Sequence, residues 1–256
     1  KTTLMQILGG LMVPTSGSIS IDGGQASADD LLTGSIIASS ARDFDELYSQ
    51  SLVAYVRLRP TWDEQLFTHY ADRFDLRVNR KYVRKLSGGQ AAILSASIAL
   101  ASGAPLTLLD EIQAPLDVPT RYALYEEILA LAGECMEGKR PQRRFLISSH
   151  MVSELEKVAE DVIVLKKSEL LAHETIDDFT CRVSALTGHA SDVERFLAAH
   201  PDLAVIASRE LGSTREVVVD LRGSAVGDTE LASHSLTASP CSFQDAFAYL
   251  IQENDQ

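Results

Sequence analysis

The stretch that most constrains this chain runs from Lys85 to Glu111. Leu86-Ser87-Gly88-Gly89-Gln90 stands directly before an apolar, alanine-rich segment, Ala91 to Ala101. Two glycines leave backbone N–H groups uncovered, and a helix opening there adds partial positive charge, so the loop suits an anion, most simply a phosphate. Leu106-Thr107-Leu108-Leu109-Asp110-Glu111 then reads as an apolar strand ending in two carboxylates. Phe145-Leu146-Ile147 reads as a second buried strand, and it delivers Ser148, Ser149 and His150 at its end. Unalternating apolar runs of this kind belong to parallel sheets, and open α/β sheets bind ligands at the carboxyl ends of their strands. A Ser-Gly-Gly run alone is usually a turn, and an Asp-Glu pair alone a cap. Their combination in this order points to nucleotide and metal chemistry.

On these residues the sequence resembles the ATP-binding cassette (ABC) ATPase family, over roughly Lys1 to Phe179. Leu86 to Gln90 looks like its signature loop, Leu106 to Asp110 like its Walker B strand, and Glu111 stands in the catalytic glutamate position. Ala114-Pro115-Leu116-Asp117 is similar to the D-loop, and His150 to the switch histidine. Lys1-Thr2-Thr3-Leu4 looks like the end of a P-loop, whose glycines would precede Lys1. The chain is therefore expected to be N-terminally truncated at the Walker A lysine.

The resemblance implies an α/β fold: a P-loop NTPase core with a helical signature subdomain and a small C-terminal α+β extension. It implies ATP and Mg²⁺ as cofactors. Glu111 and His150 would be catalytic. Lys1, Thr2, Thr3, Ser87, Gly88, Gly89, Gln90 and Asp117 would bind the nucleotide, and Thr2 and Asp110 the metal. It further implies a second ABC ATPase subunit, because the signature loop of one cassette caps the γ-phosphate held by the other.

Composition narrows the partners. The chain has 256 residues, a formal charge of −13 and 45% hydrophobic residues. Such a balance fits a packed globular protein and disfavours nucleic acid, which wants a basic patch. No apolar run reaches bilayer-spanning length, so membrane work would need a separate integral-membrane permease. Cys135, Cys181 and Cys241 are far apart and lack metal spacing, which fits a reduced cytoplasmic protein; the resemblance implies a place on the inner face of the cell membrane, through the permease. The chain starts at Lys1 rather than Met, so its true start is expected upstream.

Two domains are expected: an ATPase domain over 1–179, with its helical subdomain at about 44–101, and an accessory domain over 180–256. Thr2 to Leu11, Asp63 to Phe74, Arg121 to Ala132 and Ser153 to Ala159 read as helices. Val162 to Leu165 and Glu169 to Ala172 read as a hairpin. Leu52 to Val56 reads as a strand, and the family's metal-contacting glutamine should follow it. That alignment places Leu58 there, a side chain that can neither donate nor accept. Gln65 is the nearest amide. After Phe179 the reading is a helix over Ser191 to His200, strands over Leu203 to Ala207 and Glu216 to Leu221, and a last helix opened by a capping box at Ser242.

The resulting expectation is an ATP-hydrolysing transporter subunit energising a permease through head-to-tail dimerisation. The rivals are an ABC ATPase not linked to transport, and a non-hydrolysing regulatory subunit, for which Leu58 is the only support.

Overall fold

The computed structural model describes residues 1–39, 44–221 and 228–253. They form two compact units, Lys1–His150 and Met151–Gln256.

In the first unit the elements run α1 (Thr2–Leu8), β1 (Ser20–Ile21), β2 (Gly24–Gln25), α2 (Ala28–Gly34), β3 (Ser35–Ser39), α3 (Ser49–Val56), α4 (Glu64–Arg73), α5 (Gly88–Ala101), β4 (Leu106–Asp110), α6 (Val118–Met136) and β5 (Arg144–Ser148). β3, β4 and β5 make a parallel sheet in that order. Its register aligns Ser39 with Asp110 and Asp110 with Ser148, so three strands end side by side.

α5 lies against β3 and β4 and is apolar all round, as a helix covered on every side should be. Two of its last carbonyls receive the Arg143 guanidinium, which donates to Leu100 O at 2.7 Å and Ala99 O at 3.3 Å, and beyond the helix to Ala104 O at 3.0 Å and Thr107 Oγ1 at 2.9 Å. A cation at a helix C-terminus complements the helix dipole. The turn into β4 needs glycine at Gly103, where φ is +68° and an added Cβ would lie 2.1 Å from Thr61 O.

α3 replaces the strand expected over Leu52 to Val56. Leu52 and Val53 are buried in a cluster with Phe67, Leu94 and Ile98, and Val56 packs on it. The β-branched composition suggested extension, but docking on α4 and α5 selects the helix. The strand beside β4 is Ser35–Ser39, in a Ser- and Ala-containing stretch that carries no alternation. β1 is only two residues long, Ser20–Ile21.

The second unit holds α7 (Val152–Leu155), β6 (Asp161–Lys166), β7 (Glu169–Thr175), α8 (Ile176–Cys181), β8 (Val183–His189), α9 (Ala190–Ala199), β9 (Ala204–Leu211), β10 (Thr214–Asp220), α10 (Asp228–Ser233), β11 (Thr237–Pro240) and α11 (Phe243–Glu253). β6 and β7 form the expected hairpin, and an antiparallel sheet has the order β11-β8-β10-β9. β10 feeds both faces with period two: Val217 and Val219 join Leu186, Val193 and Phe196, while Val218 joins Phe179, Phe243 and Leu250. α7 is a single turn with Met151 at its N-cap and no side-chain cap, shorter than the helix expected from Ser153. Ser242 does cap α11, accepting from Asp245 N at 3.1 Å.

The compact units part at His150/Met151, not at the expected Phe179. Packing is the reason. Val164 and Ala172 of the hairpin and Ile176 and Phe179 of α8 share one core with Val183, Val218, Phe243, Ala246 and Leu250. Phe179 stacks edge-on to Phe243 at 5.3 Å.

Candidate functional site

The ends of β4 and β5 build the site. β4 carries Asp110 to its last position, 3% exposed. The chain then turns at Glu111, which adopts φ +51°, a left-handed conformation uncommon for a residue other than glycine. That turn sends the Glu111 carboxylate towards two partners. Lys1 Nζ donates to Glu111 Oε1 at 2.9 Å and to Ser149 O at 2.9 Å. His150 Nδ1 lies 2.7 Å from Glu111 Oε2, and an ionised carboxylate only accepts, so that nitrogen carries the proton. Burial pushes the Glu111 carboxyl up, but the hydrogen bonds and charges of Lys1 and His150 outweigh it and hold the group below the ordinary carboxylate range.

Asp110 presents hard oxygen chemistry. Its Oδ1 accepts from Ser148 Oγ. No group of three or more His, Cys, Asp or Glu that could hold a metal occurs among the described residues. A dedicated protein cage is thus not what these residues offer. One carboxylate, a nearby hydroxyl and the oxygens of a bound phosphate suit Mg²⁺, which keeps waters and takes few protein ligands. Thr2 and Thr3 are exposed in the first turn of α1, directly after Lys1.

The other expected residues gather elsewhere. Ser87, Gly88, Gly89 and Gln90 share with Asp117 a concavity of about 770 Å³, whose floor includes Pro115 and Leu116. None of Lys1, Asp110, Glu111 or His150 lines it. Ser87 caps α5, accepting from Gln90 N at 3.1 Å, while the Gln90 side chain accepts from Ser87 N at 3.1 Å. A Cβ on Gly88 would meet Pro115 Cβ at 3.3 Å, and one on Gly89 would meet Pro115 O at 3.3 Å. Asp117 caps α6 through Thr120 N at 2.9 Å, and hydrogen bonds from the Thr120 side chain and then its backbone N–H hold the Asp117 carboxyl below the ordinary range.

Leu58 does not stand where the sequence placed it. It is 78% exposed in the turn after α3, not beyond a strand of the sheet. On the side of β4 away from β5, the strand that ends beside Asp110 is β3, at Ser39. Gln65 lies on α4, and Ser40 to Asp43, the residues directly after β3, lie outside the described ones.

Two residues without an assigned role join the site. Ser148 Oγ also accepts from Glu111 N at 3.1 Å, and Gln113 Nε2 donates to Ser148 O at 3.1 Å. For Ser148 the signal was its place at the strand end; for Gln113 the sequence carried none.

Comparison with known proteins fits this geometry. Residues 1–114 match the family model described as "ABC transporter". The choline transport ATP-binding protein OpuBA of Bacillus subtilis is 27% identical over 218 residues, covering 76% of this chain and 55% of that protein. ATP-binding cassette sub-family A member 2 of Rattus norvegicus is 30% identical over 178 residues, covering 66% of this chain and 7% of that protein. The chain thus spans about half of one relative and a small part of the other. Among solved structures, an ATP-binding subunit of an ABC transporter superposes with a TM-score of 0.56 at 20% identity, covering 70% of this chain and 75% of that one. The ATP-binding cassette MJ0796, in a dimeric post-hydrolysis state bound to ADP and Pi, gives 0.51 at 22% identity, covering 68% and 79%. These likenesses show the fold: the mixed α/β fold of ABC ATPase domains, of the P-loop NTPase type.

Proposed function

On the match of residues 1–114 to the ABC transporter family model, we propose that the chain is the ATP-hydrolysing subunit of a transporter. It works with a separate integral-membrane permease and a second ABC ATPase subunit, on the inner face of the cell membrane, and takes no nucleic acid. The names of its relatives, which include a choline transport ATP-binding protein, support the coupling to transport.

One observation carries the hydrolytic reading: Lys1, Glu111 and His150 meet within hydrogen-bonding distance beside the buried Asp110. Phosphoryl transfer to water is mostly positioning plus neutralisation of charge. Asp110 and Thr2 would hold Mg²⁺, which when bound neutralises charge on the phosphate oxygens. Lys1 gives its cation to those oxygens. Glu111 then loses the partner that holds its carboxyl down, gains basicity, and takes the proton of the attacking water as general base. His150 holds the Glu111 carboxylate from the other side and offers its exposed ring to the phosphate. Ser87 to Gln90 and Asp117 serve the nucleotide of the second subunit.

Glu111→Gln tests the reading. The amide keeps the shape but cannot act as base, so turnover should fall about 10²–10⁴-fold, while a fluorescent ATP analogue binds as before. Undiminished turnover removes Glu111 from the mechanism.

A further inference from the structure

We infer that Ser148 is a positioning residue of the phosphoryl-transfer site, anchored by Gln113; the inference rests on the hydrolytic reading above. Ser148 is 6% exposed, and one hydroxyl does two things there. It donates to Asp110 Oδ1 and accepts from the backbone N–H of Glu111 at 3.1 Å. A hydroxyl has a single donor, and here it is spent on the carboxylate that would hold the cation.

The consequence for Asp110 is orientation. With Oδ1 occupied, the carboxylate is fixed about its own axis and Oδ2 is the oxygen left for a cation. Ordering a ligand carboxylate by an outer hydrogen bond is a recurrent device of metal sites, and its loss typically costs 10–100-fold in metal affinity or activity. The consequence for Glu111 is backbone conformation. Its φ of +51° is strained for a side-chain-bearing residue and persists only where the surroundings hold it. The Glu111 N–H is held by Ser148 twice, through Oγ and through the carbonyl at 3.3 Å. That geometry is what turns the carboxylate towards Lys1 and His150.

Gln113 fixes Ser148 in turn. Its side chain is 0% exposed, and its Nε2 donates to Ser148 O at 3.1 Å, while its Oε1 has no partner. A buried carbonyl left without a donor is unfavourable, and an apolar side chain of similar size would avoid it. The amide is therefore disfavoured for stability alone, which points to the bond it makes.

The test uses the full chain with Ser148→Ala, Ser148→Thr, Ser148→Val and Gln113→Met. Thr and Val have the same shape and differ by the hydroxyl. The readouts are ATPase kinetics, Mn²⁺ affinity in the presence of a non-hydrolysable ATP analogue by electron paramagnetic resonance, and thermal unfolding. Ser148→Val should lower kcat and Mn²⁺ affinity by about 10–100-fold with KM changed less than about threefold, because the lost interactions act on the cation and the base. Ser148→Thr should stay within about threefold of wild type. Gln113→Met should unfold no earlier than wild type yet turn over about tenfold more slowly. Val and Thr variants that behave alike, or a Gln113→Met protein that is merely less stable at full kcat, would overturn the inference. Failure of the wild type to bind Mn²⁺ with the ATP analogue would instead overturn the functional reading, and this inference with it.

Discussion

Glu111 shows how far a spacing can be read and where reading stops. That it stands after an apolar strand, next to Asp110, is visible in the sequence, and so is the arrival of His150 at the end of another such strand. That Lys1, over a hundred positions earlier, belongs to the same site was expected only through the resemblance, and its ion pair with Glu111 was not expected at all. Ser148 and Gln113 stayed without roles because their contacts are hydrogen bonds between strand ends, and no spacing encodes the register of one strand against another. Lys1 makes a pH prediction. It and His150 hold the folded-state Glu111 carboxyl below its ordinary range. A depressed carboxylate contributes stability that is present above its unfolded value and lost as pH falls through the folded value. Removing one partner moves the folded value up. In nucleotide-free Lys1→Met the Glu111 carboxyl, followed by carbon-detected NMR, should therefore titrate at higher pH than in the wild type. An unchanged titration would mean that the Lys1 contact has no weight in solution.

Elements were legible where one force decides them. α5 was read from an apolar, alanine-rich run after two glycines, and β4 and β5 from short buried runs. α3 was misread because Leu52-Val53 and Val56 satisfy either an extended or a helical pattern over so short a stretch; burial against Phe67 and Leu94 decides it. Leu58 fell with it, since its expected position depended on a strand before it. Gly103 gives a prediction at this scale. Gly103→Ala adds a left-handed penalty of about 1 kcal/mol and an overlap with Thr61 O of about 1–3 kcal/mol. Gly138 also has positive φ, +72°, but open space around its Cβ position, so Gly138→Ala isolates the conformational part at about 1 kcal/mol. Urea midpoints should fall markedly more for the first. Equal shifts would mean that the Thr61 carbonyl moves aside at no cost. The second unit makes another prediction. A fragment of residues 151–256 contains Phe179, Ile176 and all their core partners, so it should melt cooperatively. A fragment of 180–256 lacks them and should not, because deleting a buried Phe alone costs about 3–5 kcal/mol. A cooperative melt of the shorter fragment would restore the boundary at Phe179.

At the scale of the whole molecule the expected site residues fall into two sets, and their separation has a testable meaning. Lys1, Asp110, Glu111 and His150 meet at the strand ends, while Ser87 to Gln90 and Asp117 line a different concavity. If both sets serve one nucleotide, two copies must pair head to tail, each completing the other's site. Ser87→Arg fills the concavity at an exposed position, and so should abolish hydrolysis while each monomer still binds a fluorescent ATP analogue. The substitution also removes the cap on α5, worth about 1 kcal/mol. Ser87→Ala removes the same cap without filling the space, and its smaller loss of turnover measures that part alone. Mixing Ser87→Arg with Lys1→Ala then discriminates the arrangements. In a head-to-tail pair one site combines an intact Lys1 with an intact Ser87 loop, and the other site carries both lesions. Random pairing makes about half the dimers mixed, each with one intact site of two, so the mixture should recover at most about a quarter of wild-type turnover although neither variant turns over alone. If the loop instead acted on the nucleotide of its own chain, every chain in the mixture would carry one lesion in its only site. No activity would return, and Ser87→Arg would already have weakened ATP binding by the monomer.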